Sequence, residues 1–226
     1  MENFNGFNIS DFTFFMDMPL EYKKVIKKKM DIFGQAVYSS LNDQVRTSFK
    51  NNKMASIKEE LPFARYSIGK AYGDRTRFQL CGLEITINVN RLSFSAVVRG
   101  GSFRDDKPVG KVYQKISAET EQFMKLLLSY GKDYSLTIFR RVPAKGNKIK
   151  PGSEKRLPIS IFNLGLVNFE MVEYILAILE QDKLPGIQLA YGISPGHKLL
   201  QKPGDLIEKG TKIIEKEYDF LKYVES

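Results

Sequence analysis

Residues 83–98 read Leu-Glu-Ile-Thr-Ile-Asn-Val-Asn-Arg-Leu-Ser-Phe-Ser-Ala-Val-Val. Leu83, Ile85, Ile87 and Val89 alternate with Glu84, Thr86 and Asn88, the period of a strand with one buried face. Leu92, Phe94, Ala96 and Val98 then alternate with Ser93 and Ser95. Taking Asn90-Arg91 as a two-residue turn pairs Val89 with Leu92, Ile87 with Phe94, Ile85 with Ala96 and Leu83 with Val98 on one face, and Arg91 in place of Gly leaves a longer loop with shifted pairing as the alternative. A hairpin with one apolar side needs other elements to cover it.

Outward from the hairpin, helices supply that cover. Tyr22, Val25, Ile26, Met30, Phe33, Val37, Tyr38 and Leu41 share one face of a helix predicted over Leu20 to Leu41, with Pro19 just before it and lysines outside. A short helix is expected over Ala55 to Glu60 and a strand over Arg77 to Cys81. Ser117 followed by Glu119 and Glu121 reads as a helix start, and Gly131 as its stop. Strands are expected at Tyr134 to Phe139, Pro158 to Phe162 and Ile187 to Tyr191, with a helix capped by Asn168 running to Glu180. The last helix is expected to open at Asp205, with Glu208 reaching back to it. This order predicts an α+β fold in one domain over residues 1–226, a mixed, mainly antiparallel sheet with helices packed against it.

Composition sets the outer limits. Hydrophobic residues at 42% exclude a disordered chain, and no apolar run approaches the roughly 18 residues of a membrane span. The Phe-rich stretch Phe12 to Phe15 follows no basic leader and is broken by Asp11 and Asp17, unlike a signal peptide. Cys81 is the single cysteine, so no internal disulfide is available. A cytoplasmic location is therefore expected, which makes the sequon Asn8-Ile9-Ser10 a chance match. The net charge of +9 favours a polyanionic partner if the cations cluster.

The pattern Phe7-x-x-x-Asp11-Phe12-x-x-Phe15, the helix through Ile32-Phe33-Gly34 and the run Gly186-Ile187-Gln188-Leu189 resemble the YktB-like family of uncharacterised bacterial proteins over nearly the whole chain. Phe7, Phe12 and Phe15 read as core plugs and Gly34 as a point of close approach. The resemblance implies a compact α/β fold and supplies no catalytic residues. The family's His- and Arg-rich segment is represented here by Arg65, Arg75 and Arg77, without His.

Most catalytic motifs are missing. Gly110-Lys111 and Gly69-Lys70 lack the upstream Gly and following Ser or Thr of a P-loop, and Gly100-Gly101 lacks Rossmann spacing, so no cofactor is expected. His197 is the only histidine. With Cys81 it cannot complete a tetrahedral zinc site, and near Ser194 it lacks a nucleophile elbow. A metal-dependent phosphoester-processing enzyme would use Glu84 with Asp105 or Asp106 and a divalent ion, helped by Arg77, Arg99 or Arg104. Thr86 stands where a nuclease often has Lys.

The segment from Arg140 to Arg156 offers more. Arg140, Arg141, Lys145, Lys148, Lys150, Lys155 and Arg156 are seven cations against the single acid Glu154, punctuated by Pro143, Gly146, Pro151 and Gly152. It reads as a mobile basic loop between two strands that follows a phosphate backbone, without aromatic stacking partners inside it. Nucleic acid is the expected partner, with a protein-interaction module as the other reading, and no membrane partner is expected.

Overall fold

The computed structural model describes residues 4–12, 19–51, 56–57, 63–69, 81–98, 107–143, 154–181 and 185–225. Its helices are α1 (Leu20–Ser40), α2 (Asp43–Ser48), α3 (Lys107–Ala118), α4 (Thr120–Tyr130), α5 (Phe169–Gln181) and α6 (Pro203–Glu225). Its strands are β1 (Lys50–Asn51), β2 (Ser56–Ile57), β3 (Phe63–Gly69), β4 (Cys81–Asn88), β5 (Leu92–Val98), β6 (Tyr134–Pro143), β7 (Glu154–Asn163) and β8 (Pro185–Ile193). The fold is α+β. Strands pair antiparallel at β1–β3, β2–β3, β3–β4 and β6–β7, with α1 packed on β3 and α5 on β6.

The chain forms two compact units. The first holds the described residues up to Gly69, then Gly82–Ser95 and Tyr191–Tyr218, with strand order β1–β3–β4–β5–β8 and β2 also on β3. Its core is aromatic. Phe7 contacts Phe4, Phe12 and Phe33 at centroid distances of 5.1, 6.4 and 5.4 Å, and Phe33 meets Phe94 at 6.1 Å. Gly34 lets α1 descend onto β3, since a Cβ there would lie 2.2 Å from the Tyr66 ring. Gly210 does the same for α6 over Phe94, at 2.8 Å.

The second unit holds Cys81, the described residues of Ala96–Ala190 and those from Asp219 onward, with strand order β5–β8–β6–β7. Helices α3, α4 and α5 contact one another, and Phe123, Leu127, Leu136, Ile138, Val172, Ile175 and Leu189 are buried. Phe123 stacks on Tyr223, centroids 5.9 Å apart. Gly131, at φ +74°, ends α4 in the left-handed region that glycine adopts without strain.

Several expectations need correction. The hairpin turn closes one residue early, with Asn88 N–H donating to the Arg91 carbonyl at 3.1 Å. The Asn88 side chain also accepts from the Asn90 and Arg91 amides at 2.8 and 3.1 Å, an Asx turn that outcompetes the expected one. Val89 is therefore 42% exposed at the tip instead of paired with Leu92. Ser56–Ile57 is a strand on β3, where a helix over Ala55 to Glu60 was expected. Ser117 lies inside α3, and α4 opens after Glu119. Helix α6 begins at Pro203, two residues before Asp205, because proline suits the first helical position. Glu208 pairs with Lys212 at 2.5 Å rather than capping backward. Phe15 and the expected strand residues 77–80 lie outside the described residues.

Candidate nucleic-acid interface

Strands β6 and β7 extend further into the basic segment than the expected bounds. β6 runs to Pro143 and β7 starts at Glu154, so Arg140, Arg141, Lys155 and Arg156 belong to a paired hairpin rather than to a loop. The ladder sets Arg140 opposite Leu157, Arg141 opposite Arg156 and Val142 opposite Lys155. Three consecutive rungs thus carry four cations, and Glu154 follows on the next rung opposite Pro143. Lys145, Lys148 and Lys150 lie outside the described residues.

Local chemistry explains the shape of this hairpin. Among the described strands β7 is the outermost of its unit, where Pro158 can sit without costing a ladder hydrogen bond. The register jumps from Ile138–Ser160 to Phe139–Pro158, leaving Ile159 as the extra residue of a bulge. Phe139 is buried against Gly186, where a Cβ would come within 2.2 Å of its ring. Over that fixed ring lies the Arg156 guanidinium, 5.3 Å from the centroid, and it donates to Gln188 Oε1 at 3.4 Å. Arg156 is half-buried and held by these contacts, while Arg140 is exposed.

Residues proposed for other chemistry are placed differently. Glu84 is buried at 1% exposure and forms an ion pair with Arg65 at 3.5 Å. Its Cα partner is Ser67, and that of Arg65 is Thr86. Tyr66, one residue between Arg65 and Ser67, packs on α1, so these polar residues share the opposite face of the sheet. Phe94 faces α1 and α6 in the same way, which puts Ser93 and Ser95 on the polar side too. Both serines are buried. Ser93 Oγ donates to the Tyr191 carbonyl at 3.3 Å, whereas Ser95 Oγ has no hydrogen-bond partner among the described residues. Sequence alternation pointed to a solvated face here and missed that it is covered. Asp105, Asp106, Arg77, Arg99 and Arg104 lie outside the described residues, among which no group of three His, Cys, Asp or Glu could hold a metal ion.

His197 is exposed, and its Nδ1 accepts from the Leu199 amide at 3.2 Å, a local cap. At the α3–α4 junction, Lys115 Nζ lies 3.2 Å from Glu119 Oε1 and 5.1 Å from the Tyr223 ring centroid. Burial, reinforced by the Glu119 carboxylate, pushes the Tyr223 phenol up to about 12. That cluster ties helices together and displays no nucleophile.

Among the described residues no helix is long and apolar enough to cross a membrane. The chain matches no protein-family model and no curated protein.

Proposed function

We propose that this protein binds nucleic acid through the cationic end of the β6–β7 hairpin. The observation that carries the reading is the ladder register, four cations on three rungs with Arg141 directly opposite Arg156. Like charges in that position destabilise a sheet. A phosphate backbone offsets the repulsion and gains charge-assisted hydrogen bonds. Arg156, already fixed over Phe139, loses little further freedom on binding. The single Cys81 and its lack of a disulfide partner suit a cytoplasmic site of action.

Fluorescence anisotropy with labelled DNA and RNA across a salt series tests this. Wild type is compared with a variant carrying Arg140→Ala, Arg141→Ala and Lys155→Ala, which leaves Arg156 and its packing intact. Binding should weaken steeply with salt, and the log–log slope should flatten by about 2 to 3 in the variant, near 0.7 to 0.9 per lost phosphate contact. Identical slopes for both proteins would sink the hairpin as the site.

A further inference from the structure

The basic segment itself lacks aromatic residues, yet the second unit displays them toward the other end of β7. Phe169 and Tyr174 of α5 are 51% and 57% exposed. Tyr174 makes an edge-on contact with Phe162 of β7, centroids 6.0 Å apart at 73°. The edge of β7, outermost among the described strands, runs from Arg156 to Phe162, six strand steps or about 20 Å. Leu157, Ile159 and Ile161 along this strand are exposed as well. Because the bulge at Ile159 switches the faces, Arg140 shares the sheet face of Leu136 and Phe162, whereas Arg156 lies on the other face with Phe139, so one face leads from a cation to an aromatic ring.

Charge is divided between the two sides. Helix α5 carries Glu170, Glu173 and Glu180 and neither Lys nor Arg, while the hairpin end carries four cations. Phosphates drawn to the hairpin are repelled by α5, which leaves bases to face Tyr174. A single strand has this polarity, with phosphates on one side and free base faces on the other. A duplex does not, because its base faces are stacked away and phosphates rim both sides of each groove.

We propose that the β7 edge and the neighbouring face of α5 form a site for single-stranded nucleic acid. In it, Phe162 and Tyr174 take bases by stacking while Arg140, which alternates with Ile138 and Leu136 onto the sheet face that Phe162 shares, holds phosphates. The proposal rests on the nucleic-acid reading above and narrows it to unpaired strands. Sequence preference is weak, since every base offers a π-face.

The test uses labelled 12-mers of oligothymidylate and oligouridylate, an abasic strand of equal length and charge, and a duplex, at one fixed salt concentration. Wild type should hold the two base-bearing strands about tenfold or more tighter than the abasic strand or the duplex. Tyr174→Ala should weaken oligothymidylate binding by about fivefold or more, the loss of one stacked base. Its salt slope should stay unchanged, and Tyr174→Phe should restore affinity. Equal binding of abasic and base-bearing strands, or an unaffected Tyr174→Ala variant, would overturn the stacking site while leaving the phosphate site standing. Failure of every probe to bind would remove both readings.

Discussion

Glu217 shows how far one side chain can set the behaviour of a helix. It lies on α6 at 0% exposure, and neither carboxylate oxygen has a hydrogen-bond partner among the described residues. Burial pushes its carboxyl well above the usual 4.5, and the Tyr191 backbone N–H pulls weakly the other way without completing a hydrogen bond. The folded state therefore keeps a proton that the unfolded chain releases. Stability from this group is full below about pH 4.5 and is lost as pH rises toward the raised folded value. Glu217→Gln should flatten this part of the pH profile and unfold at neutral pH no earlier than wild type. Thermal melts from pH 4 to pH 9 measure it, and a variant that keeps the wild-type slope would clear Glu217 of the effect. Two glycines give a matched contrast. Gly34→Ala drives a methyl into the Tyr66 ring and should cost about 1–3 kcal/mol or more, whereas Gly204→Ala in α6 meets nothing within 4 Å and should stabilise by about 0.4–1 kcal/mol. Urea unfolding midpoints distinguish them. The crowding at Gly34 was legible from its place in a helix rich in large apolar residues. The burial of Glu217 was not, because its charge reads as a solvated position.

Among the elements, the β6–β7 hairpin carries a conflict between stability and binding. Arg141 opposite Arg156 costs the ladder, so Arg141→Thr should raise stability by about 0.2–1 kcal/mol while weakening nucleic-acid affinity. Chemical denaturation and anisotropy on the same preparation read both effects, and a variant weaker in both would mean that Arg141 supports the hairpin instead. The sequence marked this segment by its charge but described it as a loop, because Pro143, Gly146, Pro151 and Gly152 look like turn residues. Strand pairing with β6 carries β7 across positions that composition alone leaves unassigned. Helix α3 was missed for a related reason. The helix start was read at Ser117, whereas α3 opens at Lys107 with Pro108 in its first turn, where proline lacks only an amide proton that has no helical partner. Helix α2 did leave a signal, since Asn42 accepts from the Val45 amide at 3.0 Å as an N-cap. β5 lies beyond what alternation can report. It is buried along its whole length, so Ser93 and Ser95 mark a covered polar face rather than a wet one.

At the scale of the whole molecule, the question is whether a net charge of +9 acts as a diffuse field or through one patch. Two variants with the same total charge separate these cases. Arg140→Gln with Arg141→Gln removes two cations from the hairpin, and Lys24→Gln with Lys28→Gln removes two exposed ones from α1. A diffuse field depends on net charge, so both variants would lose affinity alike. A patch depends on phosphate contacts, each of which releases counterions, so only the hairpin variant should lose both affinity and about 1.4–1.8 of salt slope. The α1 variant should keep the wild-type salt slope, because a lysine that touches no phosphate releases no counterion. Measured side by side, equal losses would turn the basic hairpin into an ordinary portion of a cationic surface. An unequal loss would show that placement, set by three rungs of one ladder, directs the charge of the chain to a partner.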